Sequence, residues 1–433
     1  MRRGVRVYRG LAAFALLLCC AVGWAQPPDT NGNQHWVSTW GAAQQLAAET
    51  LPPWVVPPPR KPNEPPPRAL LPPYPSSFRD ETVRMIVRTS IGGERLRLTL
   101  SNALGRSEVH IGAVHIALRE RGSAIAAATD RAVTFGGKAS FAVQPGTLVV
   151  SDTIELAVPP LTELAVSIYL PGETGDVTTH EFALNTTYVV SGNAAAAASL
   201  PNPRTNFTYF WLAGIEVLAP ADAGAIVALG DSITDGVTTT FDAQRAWPAL
   251  LAAKLQANPA TRHWALINAG ISGNRVRRDV IGRSALGRFD RDVLARAGVE
   301  WLVLFEGIND VTWTALPAVP DGERATADEI IETLEQIVDR AHARGIKVMG
   351  GTLMPMGGLW LHNAETEAMR QAVNAWIRTS GKLDAVADFD AATRDPIEPA
   401  RLRPQFDSGD HIHPNDAGNA AMADAVDTAK FAR

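Results

Sequence analysis

The hydrophobic period of this chain changes once, near residue 222, and that change limits what it can fold into. From about 82 to 218, apolar residues recur at every second position. Val83, Met85 and Val87 alternate with Arg84 and Arg88, and Leu96, Leu98 and Leu100 alternate with Arg95, Arg97 and Thr99. Ile154, Leu156 and Val158, then Leu164, Val166, Ile168 and Leu170, repeat the pattern. Alternation of this kind describes strands with one buried face. Gly92-Gly93, Gly136-Gly137 and Pro171-Gly172 supply turns between the runs. Several short strands without intervening helices predict an all-β sandwich or jelly-roll-like domain over 82–218. After 222, short apolar runs at 225–229, 265–267, 301–305, 346–349 and 383–387 are separated by helical stretches. The clearest helix is 327–344, with Ile330, Leu334, Ile337 and Ala341 on one face. Thr326 and Glu329 fit a capping box before it, and Gly345 closes it. Apolar strands alternating with amphipathic helices predict an α/β domain over 222–433 with a parallel sheet covered on both faces. In such sheets the active site lies at the carboxyl ends of the strands.

The first 25 residues are not part of either domain. Arg2, Arg3, Arg6 and Arg9 precede the apolar run Leu11–Val22 and then Gly23-Trp24-Ala25, the order of a secretory signal peptide. A secreted or periplasmic protein is expected. Without 1–25 the net charge moves from −5 to −9, against the basic footprint that nucleic-acid binding requires. Cys19 and Cys20, the chain's 2 cysteines, both fall inside the signal. That excludes disulfides, Cys-zinc sites and a thiol nucleophile from the mature chain. No later stretch is long and apolar enough to span a membrane. The N-terminal segment 26–81 holds a β-type run, His35–Trp40, and then a Pro-rich stretch, 51–75, in which 12 of 25 residues are Pro. Such a stretch cannot pair as a central strand, and it reads as an extended surface loop.

Four segments carry chemistry. Gly230-Asp231-Ser232-Ile233-Thr234-Asp235-Gly236 follows the strand 225–229. A Ser on a strand-to-helix turn exposes its hydroxyl, which suits a nucleophile, although position 234 is Thr and this is not a Gly-x-Ser-x-Gly elbow. Asn268–Asn274 follows 265–267 and contains Gly273, where backbone can approach a ligand closely and offer its N–H. Gly307-Ile308-Asn309-Asp310 follows 301–305. An Asn amide at a strand's carboxyl end can donate to an oxyanion or simply cap a helix. In Asp410-His411-Ile412-His413-Pro414, a carboxylate three residues before His413 could hold one ring nitrogen while the other faces the Ser.

In this order the four segments resemble the blocks of the SGNH hydrolases, the GDSL family of esterases and lipases. Block one is Gly230-Asp231-Ser232, block two Gly273, block three Gly307-x-Asn309-Asp310 and block five Asp410-x-x-His413. The likeness spans about 222–433. Three segments ahead of it, Trp36–Trp40, Ser90–Gly93 and Leu100–Ala103, are similar to the β domain that precedes the hydrolase in one bacterial subgroup. The resemblance implies a flavodoxin-like three-layer hydrolase fold and a Ser232-His413-Asp410 triad. Its oxyanion hole would be made by the N–H groups of Ser232 and Gly273 and the Asn309 amide. Neither metal nor cofactor would be needed. The implied activity is a serine esterase acting through an acyl-enzyme, with acetylated polysaccharide or short-chain aryl and alkyl esters as substrates.

The other readings compete with this one. A glycan-binding protein with an inactive hydrolase half leaves the presence of Ser232, Gly273, Asn309, Asp410 and His413 together without a chemical reason. Asp407, Asp410, His411 and His413 could form a metal cluster, although their dense spacing fits no familiar ligand pattern. His411 reads as a loop or pocket-lining residue. The seven Arg between 275 and 296 read as a solvated face paired with Asp279, Asp290 and Asp292. Trp247, Trp313 and Trp360 read as core by default, with Trp313 the best placed to line a pocket. Asn185-Thr186-Thr187 and Asn206-Phe207-Thr208 match glycosylation sequons.

Overall fold

The computed structural model describes residues 34–47, 51–55 and 74–433. The signal segment, with Cys19 and Cys20, and the Pro-rich residues 56–73 lie outside them. The alternating runs form antiparallel sheets. In the first sheet, Gln34–Gly41 pairs with Leu212–Pro220, which pairs with Gly93–Ser101. The run His35–Trp40 is therefore the edge strand of the β region rather than a separate lead-in. A second, seven-stranded sheet is built around Glu81–Arg88, Glu163–Leu170 and Ala113–Arg121. The inward residues of these strands, among them Leu98, Val166 and Ile168, are completely buried. Asn185 and Asn206 of the two sequons are buried as well. Neither side chain is open to a glycosylating enzyme in the folded protein.

The second half holds one parallel sheet, whose strands we label β1 (Gly224–Gly230), β2 (Trp264–Gly270), β3 (Val299–Phe305), β4 (Lys347–Gly351) and β5 (Ala385–Ala387). Its strand order is 2-1-3-4-5. The direction of winding reverses between β1 and β3, and such a reversal opens a crevice at the carboxyl ends of those strands. The helices that matter to the site are α1 (Ser232–Asp235), α2 (Trp247–Ala257), α3 (Ile308–Trp313), α4 (Ala327–His342), α5 (Ala364–Thr379) and α6 (Asp416–Ala425). They gather as two groups, α2 with α6 and α4 with α5. Both halves of the expected capping box at Thr326 and Glu329 are present on α4. Trp247 on α2 is fully buried core.

The hydrophobic core does not stop at the boundary between the halves. One contiguous cluster runs from Val37, Leu98 and Val217 of the β region into Val227, Ile267 and Val303 of the parallel sheet. Among the described residues, no helix is long and apolar enough to cross a membrane.

Candidate active site

The site begins at the end of β1. Asp231 caps α1 by accepting the Ile233 N–H at 2.9 Å, and Gly236, at φ 106°, ends the helix after four residues. Gly230 allows the turn, because a Cβ there would sit 2.5 Å from the Phe305 carbonyl oxygen of the neighbouring strand. Ser232 thus stands at the first position of α1, where the backbone N–H has no helical partner.

His413 and Asp410 come from the loop before α6. His413 Nε2 lies 2.8 Å from Ser232 Oγ, and its Nδ1 lies 2.6 Å from Asp410 Oδ2. Asp410 Oδ1 accepts the N–H groups of Ile412 and His413 at 3.0 and 2.8 Å, so the loop itself aims the carboxylate. Burial works against the ionised Asp410. The His413 hydrogen bond and charge and the two N–H donors outweigh it and hold the carboxyl well below the usual range.

Gly273 and Asn309 converge on the same end of the sheet. Gly273 takes φ 77°, a left-handed conformation, which turns its peptide in the loop after β2. Asn309 is the second residue of α3. One N–H of its amide goes to the Asn274 carbonyl at 2.8 Å, which fixes the amide and leaves its second N–H for another acceptor. Ser232 and Asn309 are only 5% and 7% exposed. All five residues singled out from the sequence therefore come from the ends of β1, β2 and β3 and the loop before α6.

The histidine and aspartate residues proposed as a metal cluster divide into two pairs. His411 Nδ1 is held by Asp407 at 2.6 Å, separately from the Asp410–His413 pair. Among the described residues no group of three or more His, Cys, Asp and Glu is gathered as metal ligands.

The basic stretch 275–296 is a solvated face only in part: Arg277 and Arg283 are exposed, and Arg283 pairs with Asp279 at 2.7 Å. Arg275 and Arg288 are 1% exposed, and they work beneath the site. Arg288 donates to the carbonyls of Gly230 at 2.9 Å and Ala269 at 2.6 Å and to Asn274 Oδ1 at 3.0 Å. One guanidinium thereby ties the end of β1 to the end of β2 and to the neighbour of Gly273. Asp292, also buried, pairs with it at 3.2 Å. Glu306, at the start of the block-three loop, was not singled out in the sequence either. It is 2% exposed, and the Arg288 guanidinium comes no closer than 4.0 Å. Burial, and then the nearby Asp231 charge, push the Glu306 carboxyl well above its ordinary range. Burial also pushes Asp231 up, to about 7.

Residues 228–421 match the model of the GDSL-like Lipase/Acylhydrolase family. No curated protein matches the chain. Solved structures similar to it include LAE5, an alpha/beta hydrolase enzyme from the metagenome of Lake Arreo, Spain, at 24% identity, covering 48% of this chain and 96% of that one, with a TM-score of 0.38. Axe2, an acetylxylan esterase from Geobacillus stearothermophilus, is 22% identical and covers 48% and 94%, with a TM-score of 0.38. A GDSL-like lipase from Bacteroides thetaiotaomicron is 20% identical and covers 48% and 87%, with a TM-score of 0.35. The family match takes in the Ser232 turn, the loops of Gly273 and Asn309 and the His413 loop, and so the chain carries a GDSL-like lipase/acylhydrolase domain behind an N-terminal β region and is a carboxylic ester hydrolase.

Proposed function

We propose that the chain is a secreted serine esterase that uses Ser232, His413 and Asp410 as its triad and releases acyl groups from an oxygen-linked alcohol. The observation that carries this reading is the continuous hydrogen-bonded line Ser232 Oγ, His413 Nε2, His413 Nδ1, Asp410 Oδ2, at 2.8 and 2.6 Å. His413 takes the Ser232 proton as the oxygen attacks the ester carbonyl, then delivers it to the departing alcohol. Water attacks the acyl-enzyme in the second half of the cycle, with His413 again as base. Asp410, ionised far into acid, orients the ring and stabilises the imidazolium. Protonation of Asp410 is therefore not what ends activity in mild acid. The N–H groups of Ser232 and Gly273 and the Asn309 amide stabilise the oxyanion, and a donor of this kind is typically worth ~10²–10³ in turnover. The 2-1-3-4-5 strand order and the two helix groups support the flavodoxin-like three-layer reading of this half. The signal-like sequence of 1–25 supports export.

The test is hydrolysis of p-nitrophenyl acetate and release of acetate from acetylated xylan by wild type and Ser232→Ala. The expected loss in kcat is at least ~10³-fold on any ester the wild type cleaves. A folded Ser232→Ala protein that retains wild-type turnover would sink the serine mechanism. A second arm with chelator separates the metal-dependent alternative, which predicts loss of activity. Cleavage of the aryl ester alone would make the protein a general short-chain esterase. Glycan binding with no hydrolysis by the wild type would favour a binding protein.

A further inference from the structure

One buried pair joins the β region to the nucleophile turn, and its geometry says how it is protonated. His180 ends the strand Thr178–His180, which pairs with Gln45–Leu46 and Tyr209–Phe210. Asp235 is the last residue of α1, the helix that Ser232 opens. His180 Nε2 lies 3.1 Å from Asp235 Oδ1, with the two side chains only 7% and 2% exposed. His180 Nδ1 lies 2.9 Å from the Ala43 carbonyl oxygen. A carbonyl only accepts, so Nδ1 carries a hydrogen. The contact between Nε2 and Oδ1 therefore needs one more proton, whichever of the two atoms bears it. Without that proton a ring lone pair would face a carboxylate away from water.

The other oxygen of this carboxylate reaches the loop after β2. Asp235 Oδ2 accepts the Ser272 N–H at 3.2 Å. Ser272 supplies the carbonyl half of the peptide that carries the Gly273 N–H, so anchoring Ser272 sets where that N–H starts. The backbone of Asp235 is fixed independently. Asn268 Nδ2 donates to the carbonyls of Thr234 and Asp235 at 2.8 and 3.3 Å. A Cβ at Gly270 would sit 2.3 Å from the Asp235 nitrogen, so α1 rests directly on the end of β2. His180 is needed for neither contact. What it decides is where the Asp235 carboxylate points. A buried ion pair is a weak device for stability. The same carboxylate reaching the Gly273 loop is a device for position.

The charges around the pair favour keeping its proton. Glu181, next to His180 in sequence, and Arg288 act on it from either side, and Arg88 and Arg245 line a cavity that Asp235 borders. Burial keeps the Tyr209 phenol protonated, and its ring stacks on His180 with centroids 6.1 Å apart. Burial also works against a charged His180. The Asp235 charge and hydrogen bond and the Ala43 carbonyl outweigh it and raise the His180 pKa. The bridging proton is thus held at neutral pH and leaves as pH rises through the folded value.

We propose that His180 is a positioning residue of the ester-cleaving site: by sharing a proton with Asp235 it holds that carboxylate on Ser272, and so aims the Gly273 N–H at the oxyanion. The proposal rests on the esterase reading above. It makes a side chain of the β region part of turnover without touching substrate.

The test measures kcat and KM against pH for wild type, His180→Gln, His180→Ala and Ser232→Ala on the ester that the wild type cleaves fastest. Active sites are counted by stoichiometric phosphorylation with diethyl p-nitrophenyl phosphate, so misfolded molecules do not enter kcat. An oxyanion donor acts in the transition state, and its misplacement is felt in kcat. For His180→Ala, kcat per active site should fall about tenfold at neutral pH, less than for loss of a whole donor, with KM nearly unchanged. In the wild type, kcat should fall as pH rises above neutrality. Gln donates to Asp235 through an amide that does not titrate, so His180→Gln should recover most of kcat and lose the alkaline fall. A merely structural contact would lower the melting temperature and leave kcat per active site unchanged, and the proposal would fail. It would fail equally if wild type and His180→Gln share one alkaline profile, or if the loss lies in KM. Should His180→Ala not fold, the wild-type and His180→Gln profiles decide the matter. Hydrolysis or phosphorylation surviving in Ser232→Ala would instead sink the serine mechanism, so the two failures are distinguishable.

Discussion

Glu306 shows how one residue's surroundings set its charge. It sits beneath the nucleophile turn, shielded from water, near Asp231 and 4.0 Å from the closest Arg288 nitrogen. An ionised carboxylate in such a place pays for desolvation with little return, so the neutral acid is favoured. A carboxyl whose folded pKa is raised binds more protons in the native state than in the unfolded one. Its contribution to stability is complete below the unfolded pKa, roughly 4.3 for Glu, and is lost as pH rises towards the folded value. Asp231, pushed up to about 7, carries the same sign over the same direction. Glu306→Gln keeps the shape and removes the titration. Its melting temperature should fall less steeply than that of wild type between pH 5 and pH 8, with a residual slope from Asp231. Parallel curves for the two proteins would show that Glu306 is already ionised in the fold.

At the scale of elements, Arg288 is the side chain on which the ends of β1 and β2 depend. Arg288→Ala would leave Asn274 Oδ1 without its donor and take one donor each from the Gly230 and Ala269 carbonyls and from Asp292, which Arg291 still holds at 2.8 and 3.0 Å. Leaving a buried polar group without its donor typically costs ~1–3 kcal/mol. We expect an unfolding free energy lower by that amount, read as a lower urea midpoint at unchanged slope, together with a fall in kcat exceeding any rise in KM, because Asn274 also holds the Asn309 amide. A variant with wild-type midpoint and kcat would remove Arg288 from this role. The same residue marks where sequence reading stopped. Strand and helix identities in the second half were legible because β1 to β4 are short apolar runs and α4 has a clean apolar stripe with a matching cap. Ser232, His413 and Asp410 were legible because three short blocks stood at strand ends and a fourth, Asp410-x-x-His413, near the chain's end. The supporting shell was misread because seven Arg in 22 residues look solvated by composition. Yet Ala285, Arg288, Phe289, Asp292 and Val293 recur at three- and four-residue spacing, which sets Arg288 and Asp292 on the buried stripe. The burial of Glu306 left no such trace, since a lone Glu before a Gly has no periodic partner.

At the scale of the whole molecule, the β region completes the hydrolase sheet. In the order 2-1-3-4-5, β2 is an edge, and an open edge strand offers unpaired N–H and C=O groups to any other chain. Here the Leu266 N–H of β2 is taken by Ser90 Oγ at 3.0 Å, and Ser90 in turn donates to the Thr39 carbonyl at 2.6 Å. Arg296 reaches back to the carbonyls of Ala213 and Ala42 at 2.9 and 3.3 Å. His180 of the β region pairs with Asp235 at 3.1 Å, both buried, and Asp235 also accepts the Ser272 N–H beside Gly273 at 3.2 Å. Ser38, whose Oγ accepts the Ala297 N–H at 3.1 Å, and Ser90 both carried the looser likeness in sequence and are contact residues between the halves, with Thr39 holding Ser90 in place. That role could not be read from spacing, because partners 176 residues apart leave no local pattern. Cutting the chain at 222 would open the β2 edge, expose the apolar face shared by the two halves and leave Asp235 buried without its histidine. Residues 222–433 expressed alone should therefore aggregate, or remain soluble only without cooperative melting, whereas residues 26–433 melt as one unit. Soluble, monomeric 222–433 with the melting temperature and ester turnover of the longer chain would show that the β region is an accessory to this fold rather than a part of it.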